Sequence, residues 1–203
     1  MSPKEREALE RRIREHCGLG DTAGAVEVAV EGYGPELRRL LVTLLREPEP
    51  AREAFSIFCE SLVRDLPGFR WESSFRTWAY RVARNVAYRM STASSPRRDR
   101  GASQELVDLM HVERSGTAPW LQTSVKDRFR TLRAKLEPGE RNLLVLRVDR
   151  RMSWLDVARA LDGTQSSEGL HKKAAVLRQQ FKSLKDRLRE LARDERLISS
   201  ASG

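Results

Sequence analysis

Apolar positions recur every three or four residues along nearly the whole 203-residue chain, and no window alternates apolar with polar as a half-buried strand would. The pattern therefore predicts an all-α protein. A short charged helix is predicted over 7–17, stopped by Gly18 and Gly20, with Asp21 or Thr22 capping a second over 23–31. Gly32-Tyr33-Gly34-Pro35 then reads as a break, with Pro35 at the first position of a helix whose stripe is Leu37, Leu40, Leu41, Leu44 and Leu45. Glu47-Pro48-Glu49-Pro50 ends that helix, and the next, over 51–66, carries Ala54, Phe55, Phe58, Leu62 and Leu66. Ser73 or Ser74 caps a longer helix from 75 to about 91.

Turn formers and cations then crowd together in Ser94, Ser95, Pro96, Arg97, Arg98, Asp99, Arg100 and Gly101. They predict a flexible linker over 94–123 between two small helical domains, 1–93 and 124–203. In the second domain Val125, Phe129, Leu132 and Leu136 share one face, and Pro138-Gly139 leads into a helix through Leu143, Leu144 and Leu146. Ser153, with Asp156 three residues on, resembles a capping box for 154–161, and Asp162-Gly163 ends that helix. A long last helix is predicted over 168–197, with Leu177, Phe181, Leu184, Leu188 and Leu191 as its buried stripe.

Charge narrows the picture. Lys and Arg number 38 against 29 Asp and Glu, a net charge of +9, which suits a polyanionic partner and equally a solvated basic face. The two cysteines, Cys17 and Cys59, and the three histidines show no spacing from which a zinc site could be built, so neither metal nor cofactor is expected. Nor does any Ser or Cys have a histidine nearby in sequence to activate it, and no catalytic residue is assigned. No apolar run resembles a secretory signal or reaches membrane-spanning length, and a cytoplasmic protein is expected.

On a helical wheel of ~100° per residue the 75–91 helix gathers Phe75, Ala79, Val82 and Val86 on one side, with Trp78 at the edge. The other arc holds Arg76, Thr77, Tyr80, Arg81, Arg84 and Tyr88. Arginines track phosphates while Tyr80, Tyr88, Trp78 and Trp71 offer stacking surfaces, a combination that suits single-stranded DNA. The other reading makes Tyr80 and Tyr88 half-buried amphipathic residues. Farther on, the 154–161 helix, a glycine-containing turn and the long basic helix have the order of a helix-turn-helix. Lys172, Lys173, Arg178, Gln179 and Lys182 are then the residues able to enter a major groove, Arg178 and Gln179 reading purine edges. A coiled coil along the leucine stripe is the rival.

The segment Phe69-Arg70-Trp71-Glu72-Ser73-Ser74-Phe75-Arg76-Thr77-Trp78-Ala79-Tyr80-Arg81-Val82-Ala83-Arg84-Asn85 resembles the promoter-melting segment of sigma-70-type factors. Residues 51–58 resemble that family's polymerase-binding helix, and 136–147 the start of its second DNA-binding domain. Two modules with a linker between them resemble the extracytoplasmic-function class, group 4. The resemblance implies binding to RNA polymerase core enzyme and to promoter DNA, duplex and melted, at minus-ten and minus-thirty-five elements; an anti-sigma protein is a further partner the class admits. Arg76, Trp78, Arg81, Arg84 and Asn85 fall on matching places of the melting segment, Asn85 beside the loop that captures a flipped base. Glu53, Phe55, Phe58 and Leu62 would face polymerase or support the face that does. Ser56 and Arg52 depart from the family's usual glutamine and acid. A helix-turn-helix repressor or activator acting on duplex DNA alone, and a sigma-like adaptor that binds only polymerase, are the competing readings.

Overall fold

A computed structural model describes residues 1–93, 131–133, 135–162 and 166–194, and all the regular structure among them is helical. Helix α1, Pro3–Gly18, starts four residues before the predicted 7 because Ser2 and Glu5 form a reciprocal capping box. The Glu5 amide donates to Ser2 Oγ (3.3 Å), and the Ser2 amide to Glu5 Oε2 (2.6 Å). Gly20, at φ 73°, supplies the left-handed residue that turns the chain after α1. Asp21 then caps helix α2, Thr22–Leu45, accepting from the Gly24 amide at 2.9 Å. His16 Nδ1 lies 2.8 Å from the same carboxylate, so one side chain joins the end of α1 to the start of α2. The Gly24 amide, and after it His16, hold the Asp21 carboxyl below the usual carboxylate range.

The break expected at 32–35 is absent: α2 runs through Pro35 as one helix. Packing explains the override. Gly32 leaves the space that the Leu9 side chain fills, and a Cβ on Gly34 would stand 3.5 Å from the Phe55 ring. Tyr33 is 1% exposed, and its hydroxyl donates to Glu10 Oε1 at 2.9 Å. An interior proline costs roughly 3 kcal/mol. Keeping the helix whole buries Tyr33, Leu37, Leu40 and Leu41 together, and at about 1.5–3 kcal/mol per large apolar side chain that gain is the larger.

Arg46, at φ 63°, closes α2 in the left-handed region. The prolines after it serve as a start: α3 spans Pro48–Asp65, with Pro48 buried at its first position, three residues earlier than predicted. A 3-10 turn, Leu66–Gly68, and an irregular stretch lead to α4, Phe75–Ala93. Helix α2 packs against α1, α3 and α4, and α3 packs against α4. Ile13, Leu41, Phe58 and Phe75 form the innermost layer.

The amino terminus of α4 is held from a distance. Ser74 caps it by accepting from the Thr77 amide at 3.1 Å. The next two free donors point at α1: the Phe75 amide donates to Glu10 Oε2 (2.7 Å) and the Arg76 amide to Glu10 Oε1 (2.9 Å). A carboxylate at a helix amino terminus satisfies orphan N–H groups and complements the helix dipole.

The chain divides into two units, the first holding α1 to α4 and the second most of the chain after residue 112. The predicted linker, 94–123, lies outside the described residues, as do 124–130 of the predicted 124–136 helix. Residues 131–133 are helical, and Leu132 and Leu136 are buried as expected. Helix α5, Pro138–Leu144, is capped by Glu137 with Glu140 and continues into a π-helical turn, Val145–Asp149, that no pattern predicted. The buried Arg141 guanidinium donates to the Leu136 carbonyl (2.7 Å), capping the preceding helical turn from below. Helix α6, Trp154–Asp162, takes Ser153 as its cap: the Asp156 amide donates to Ser153 Oγ (3.1 Å), whose hydroxyl donates to the Asp156 carboxylate (2.6 Å). Helix α7, Ser167–Asp194, starts under Ser166, which accepts from the Gly169 amide; residues 195–197 of the predicted helix lie outside the described ones. Leu136, Leu144 and Leu184 make the centre of this unit, with Phe181 and Leu188 packed on it, while Leu191 is only half-buried.

Replacing Glu10 by Gln keeps the shape but leaves one carbonyl oxygen for three donors and turns an NH2 group toward an amide. The expected loss is about 1–3 kcal/mol of unfolding free energy, measured by urea titration of the helical circular dichroism. An unchanged midpoint would show that this cap carries no weight.

Candidate nucleic-acid interface

Helix α4 does not present the continuous face expected over 76–88. Arg76, Thr77, Trp78 and Tyr80 are all buried, at 6%, 2%, 7% and 1% exposure. Arg81 and Arg84 are half-buried, and Asn85, Tyr88 and Arg89 are exposed. The buried direction also includes Ala79, Ala83, Val86 and Ala87, which turns it toward Arg76 and Tyr80 and away from Val82, a residue expected in the core and found half-buried. Small alanines at four-residue steps were the available signal. They let α4 approach its neighbours closely, whereas a wheel weighted by large apolar residues points elsewhere.

Arg76 is therefore a structural cation. Its Nε donates to Glu36 Oε1 at 2.8 Å and Nη2 to Glu36 Oε2 at 3.3 Å, a bidentate pair from α4 to α2. Its guanidinium also lies over the Tyr80 ring, 5.2 Å from the centroid. Burial disfavours the charged guanidinium, but the hydrogen bonds and charge of Glu36 outweigh it and hold Arg76 more firmly protonated than usual. Trp78 stacks on Phe69 at 4.9 Å and 26°, and Trp71 is half-buried in the loop before α4, at φ 59°.

What α4 does expose is its last two turns. Asn85, Tyr88 and Arg89, with Val82, line an open cleft of about 400 Å³ whose other wall is Ser61, Arg64 and Asp65 from α3. Tyr88 is 65% exposed, a large ring left in water beside two arginines. Arg64 grips Asp65 through two hydrogen bonds, 2.8 and 3.0 Å, which hold the Asp65 carboxyl below the usual range. The cleft thus offers guanidinium donors, an amide and a ring in one place, the groups that bind phosphate and stack on a base. Arg64 and Arg89 were not among the residues expected there.

Of the four residues assigned to polymerase binding, Glu53 is exposed on α3, while Phe55, Phe58 and Leu62 lie in the core and support that face from inside. Arg52, Glu53, Ser56, Glu60 and Val63 form its outer surface. In the second unit Arg178, Gln179 and Lys182 are exposed on α7, Lys172 is exposed and paired with Glu168, and Lys173 is half-buried. Arg178 and Lys182 share an arc with Lys185 and Arg189, beside the stripe of Leu170, Ala174, Leu177 and Leu184 that is buried. Among the described residues no group of His, Cys, Asp or Glu is placed to hold a metal ion, and no helix is long and apolar enough to cross a membrane.

Residues 29–95 match the family described as Sigma-70 region 2. The likeness covers 67 of the chain's 203 residues. Most of α2, with α3 and α4, makes up the matched stretch, so the cleft of Asn85, Tyr88 and Arg89 lies inside it, and α1 precedes it. The match is a likeness to this one region of sigma-70 factors. No curated protein matches the chain.

Because Arg76 is buried against Glu36, Arg76→Met should destabilise the fold by about 3 kcal/mol or more, leaving a carboxylate without its cation. Chemical denaturation followed by circular dichroism measures this, and a loss below 1 kcal/mol would return Arg76 to the list of surface contacts.

Proposed function

We propose that this chain is an RNA polymerase sigma factor of the extracytoplasmic-function class, a cytoplasmic, non-enzymatic subunit that directs promoter recognition and opening. The single observation that carries the reading is the cleft between α3 and α4: cations, an amide and an exposed tyrosine gathered inside region 2. In this reading residues 1–93 bind core polymerase and the minus-ten element, 94–123 link the modules, and 124–203 form a helix-turn-helix for the minus-thirty-five element.

Polymerase supplies the catalysis, and this subunit turns binding energy into strand separation. Unstacking costs a few kcal/mol per flipped base. Stacking on Tyr88, with phosphate contacts from Arg81, Arg84 and Arg89 and an amide contact from Asn85, offsets that cost at about 1–3 kcal/mol per stacked base. Trp71 adds a ring at the loop, whereas the buried Arg76, Trp78 and Tyr80 act by fixing the helix that presents the others. Glu53 sits on the exposed face of α3 that would meet polymerase, backed by Phe55, Phe58 and Leu62. On α7, Arg178 and Gln179 would read base edges while Lys172, Lys173 and Lys182 set the helix on phosphates.

One observation favours a second reading. The burial of Arg76, Trp78 and Tyr80 withdraws half of the expected melting face, as an adaptor that binds polymerase without opening DNA would allow. Run-off transcription with purified core polymerase on a genomic promoter library separates the two: an adaptor yields no specific transcript. Tyr88→Ala should lower open-complex formation about tenfold with affinity for core polymerase retained, and undiminished permanganate reactivity of the promoter would remove Tyr88 from the melting surface. In a binding-site selection Arg178→Ala should shift the preferred upstream element, whereas Lys182→Ala should weaken all sites alike; identical preferences for the two variants would reject that division of labour.

A further inference from the structure

The cleft between α3 and α4 holds a contact that works against the use proposed for it. Its walls bring cations together, yet one of its residues is an acid, and that acid already occupies a cation. Asp65 is the last residue of α3. Arg64 donates to it from Nε at 2.8 Å and from Nη2 at 3.0 Å. The carboxylate thus fills one of the two-pronged edges that a guanidinium offers to a phosphate, two N–H groups on two oxygens.

Neither helix geometry nor stability accounts for this pair. Neighbours i and i+1 on a helix do not face each other, so the helix itself does not bring the two side chains together. A carboxylate at a helix carboxy terminus also meets the negative end of the helix dipole, where Arg64 alone would be favoured. Both side chains stand in water, at 67% and 43% exposure, and an exposed pair adds little to stability.

Charge extends the contact across the cleft. The Arg64 hydrogen bonds, and after them the charges of Arg64 and Arg89, hold the Asp65 carboxyl below its usual range, so it stays ionised near neutral pH. Arg89 lies on the opposite wall, in α4, exposed and without an ion pair among the described residues. Asp65 therefore acts on both cations: it fills the fork of the first, and its charge offsets the second. Because that charge is not lost near neutrality, an anion has to displace it.

We propose that Asp65 is an internal competitor for phosphate, an autoinhibitory contact that keeps Arg64 from gripping a nucleic-acid strand until the strand brings more than one contact to the cleft. A backbone phosphate alone exchanges one anion for another at Arg64 and gains little. A strand whose base also stacks on Tyr88 and meets Asn85 adds binding that the carboxylate cannot match, and only then does Arg64 change partners. Asp65 so sets a threshold for occupancy of the cleft. This regulation deepens the sigma-factor reading above and rests on it.

The test measures binding of a fluorescently labelled single-stranded DNA of mixed sequence to the full chain, with run-off transcription by core polymerase alongside. Asp65→Asn keeps the shape and removes the charge, and should tighten binding about five- to tenfold. Glu27→Gln removes the same charge from an exposed position on α2 outside the cleft, and should change binding less than about twofold. Arg64→Ala decides whether the gain passes through the pair. In the unaltered chain it should change binding less than about twofold, whereas in the Asp65→Asn chain it should remove most of the gain. Helical circular dichroism should be the same for every variant, because each altered side chain is exposed. A gain from Asp65→Asn no larger than that from Glu27→Gln overturns the proposal in favour of general attraction to a more cationic chain. An Arg64→Ala loss of equal size in the two backgrounds overturns it as well, since Arg64 would then hold DNA with Asp65 in place. An unaltered chain that starts no transcript with core polymerase overturns the sigma-factor reading instead, whereas transcription together with additive binding effects overturns the competitor alone.

Discussion

The carboxylate of Glu10 is the point at which three helices become one object. It stands on α1, accepts from the Tyr33 hydroxyl on α2, and takes the Phe75 and Arg76 amides at the head of α4. Each bond alone is modest, on the order of 1 kcal/mol. Together they fix where α4 begins and, through the rigidity of a helix, where its far end lies. Glu36 repeats the device one turn of α2 later by holding the Arg76 side chain. The acids on α1 and α2 thus set the address of a helix whose distal residues line the cleft with α3.

A division of labour along α4 is the result. Its first half is buried nearly all round, so its arginine and tyrosine are used inward; its second half emerges, and there Asn85, Tyr88 and Arg89 meet water. A helix so enclosed at one end and open at the other behaves as a peg in a socket. Binding energy spent on the free end is not dissipated in reorienting the helix, because the socket has already met that entropic cost during folding.

The order of helices was readable because it depends on local chemistry: apolar spacing for α3, α6 and α7, serine caps before α4 and α6, glycines after α1. The failures come from contacts distant in sequence. Pro35 reads as a break until Leu9 is seen to need Gly32 on one unbroken helix surface. Arg76 and Tyr80 read as surface residues until Glu36 supplies a charge for the first and alanines at 79, 83 and 87 bring neighbours over the second. Glu10, at the centre of the unit, gave no local sign, since an acid on a charged helix is the commonest thing such a helix carries. Asn85, Tyr88, Arg178, Gln179 and Lys182 are exposed.

The placement of α1 means that the cooperative body is larger than the family signature within it. Residues 29–95 bear the signature, yet Leu9 and Ile13 complete its core and Glu10 its key cap. A polypeptide trimmed to the signature would begin partway through α2, lose Asp21 from that helix's start, and present the bare amides of Phe75 and Arg76 to water. Drift at position 10 is accordingly constrained by residues more than sixty positions away, so divergence in the leading helix and in the head of α4 should proceed as a coupled pair.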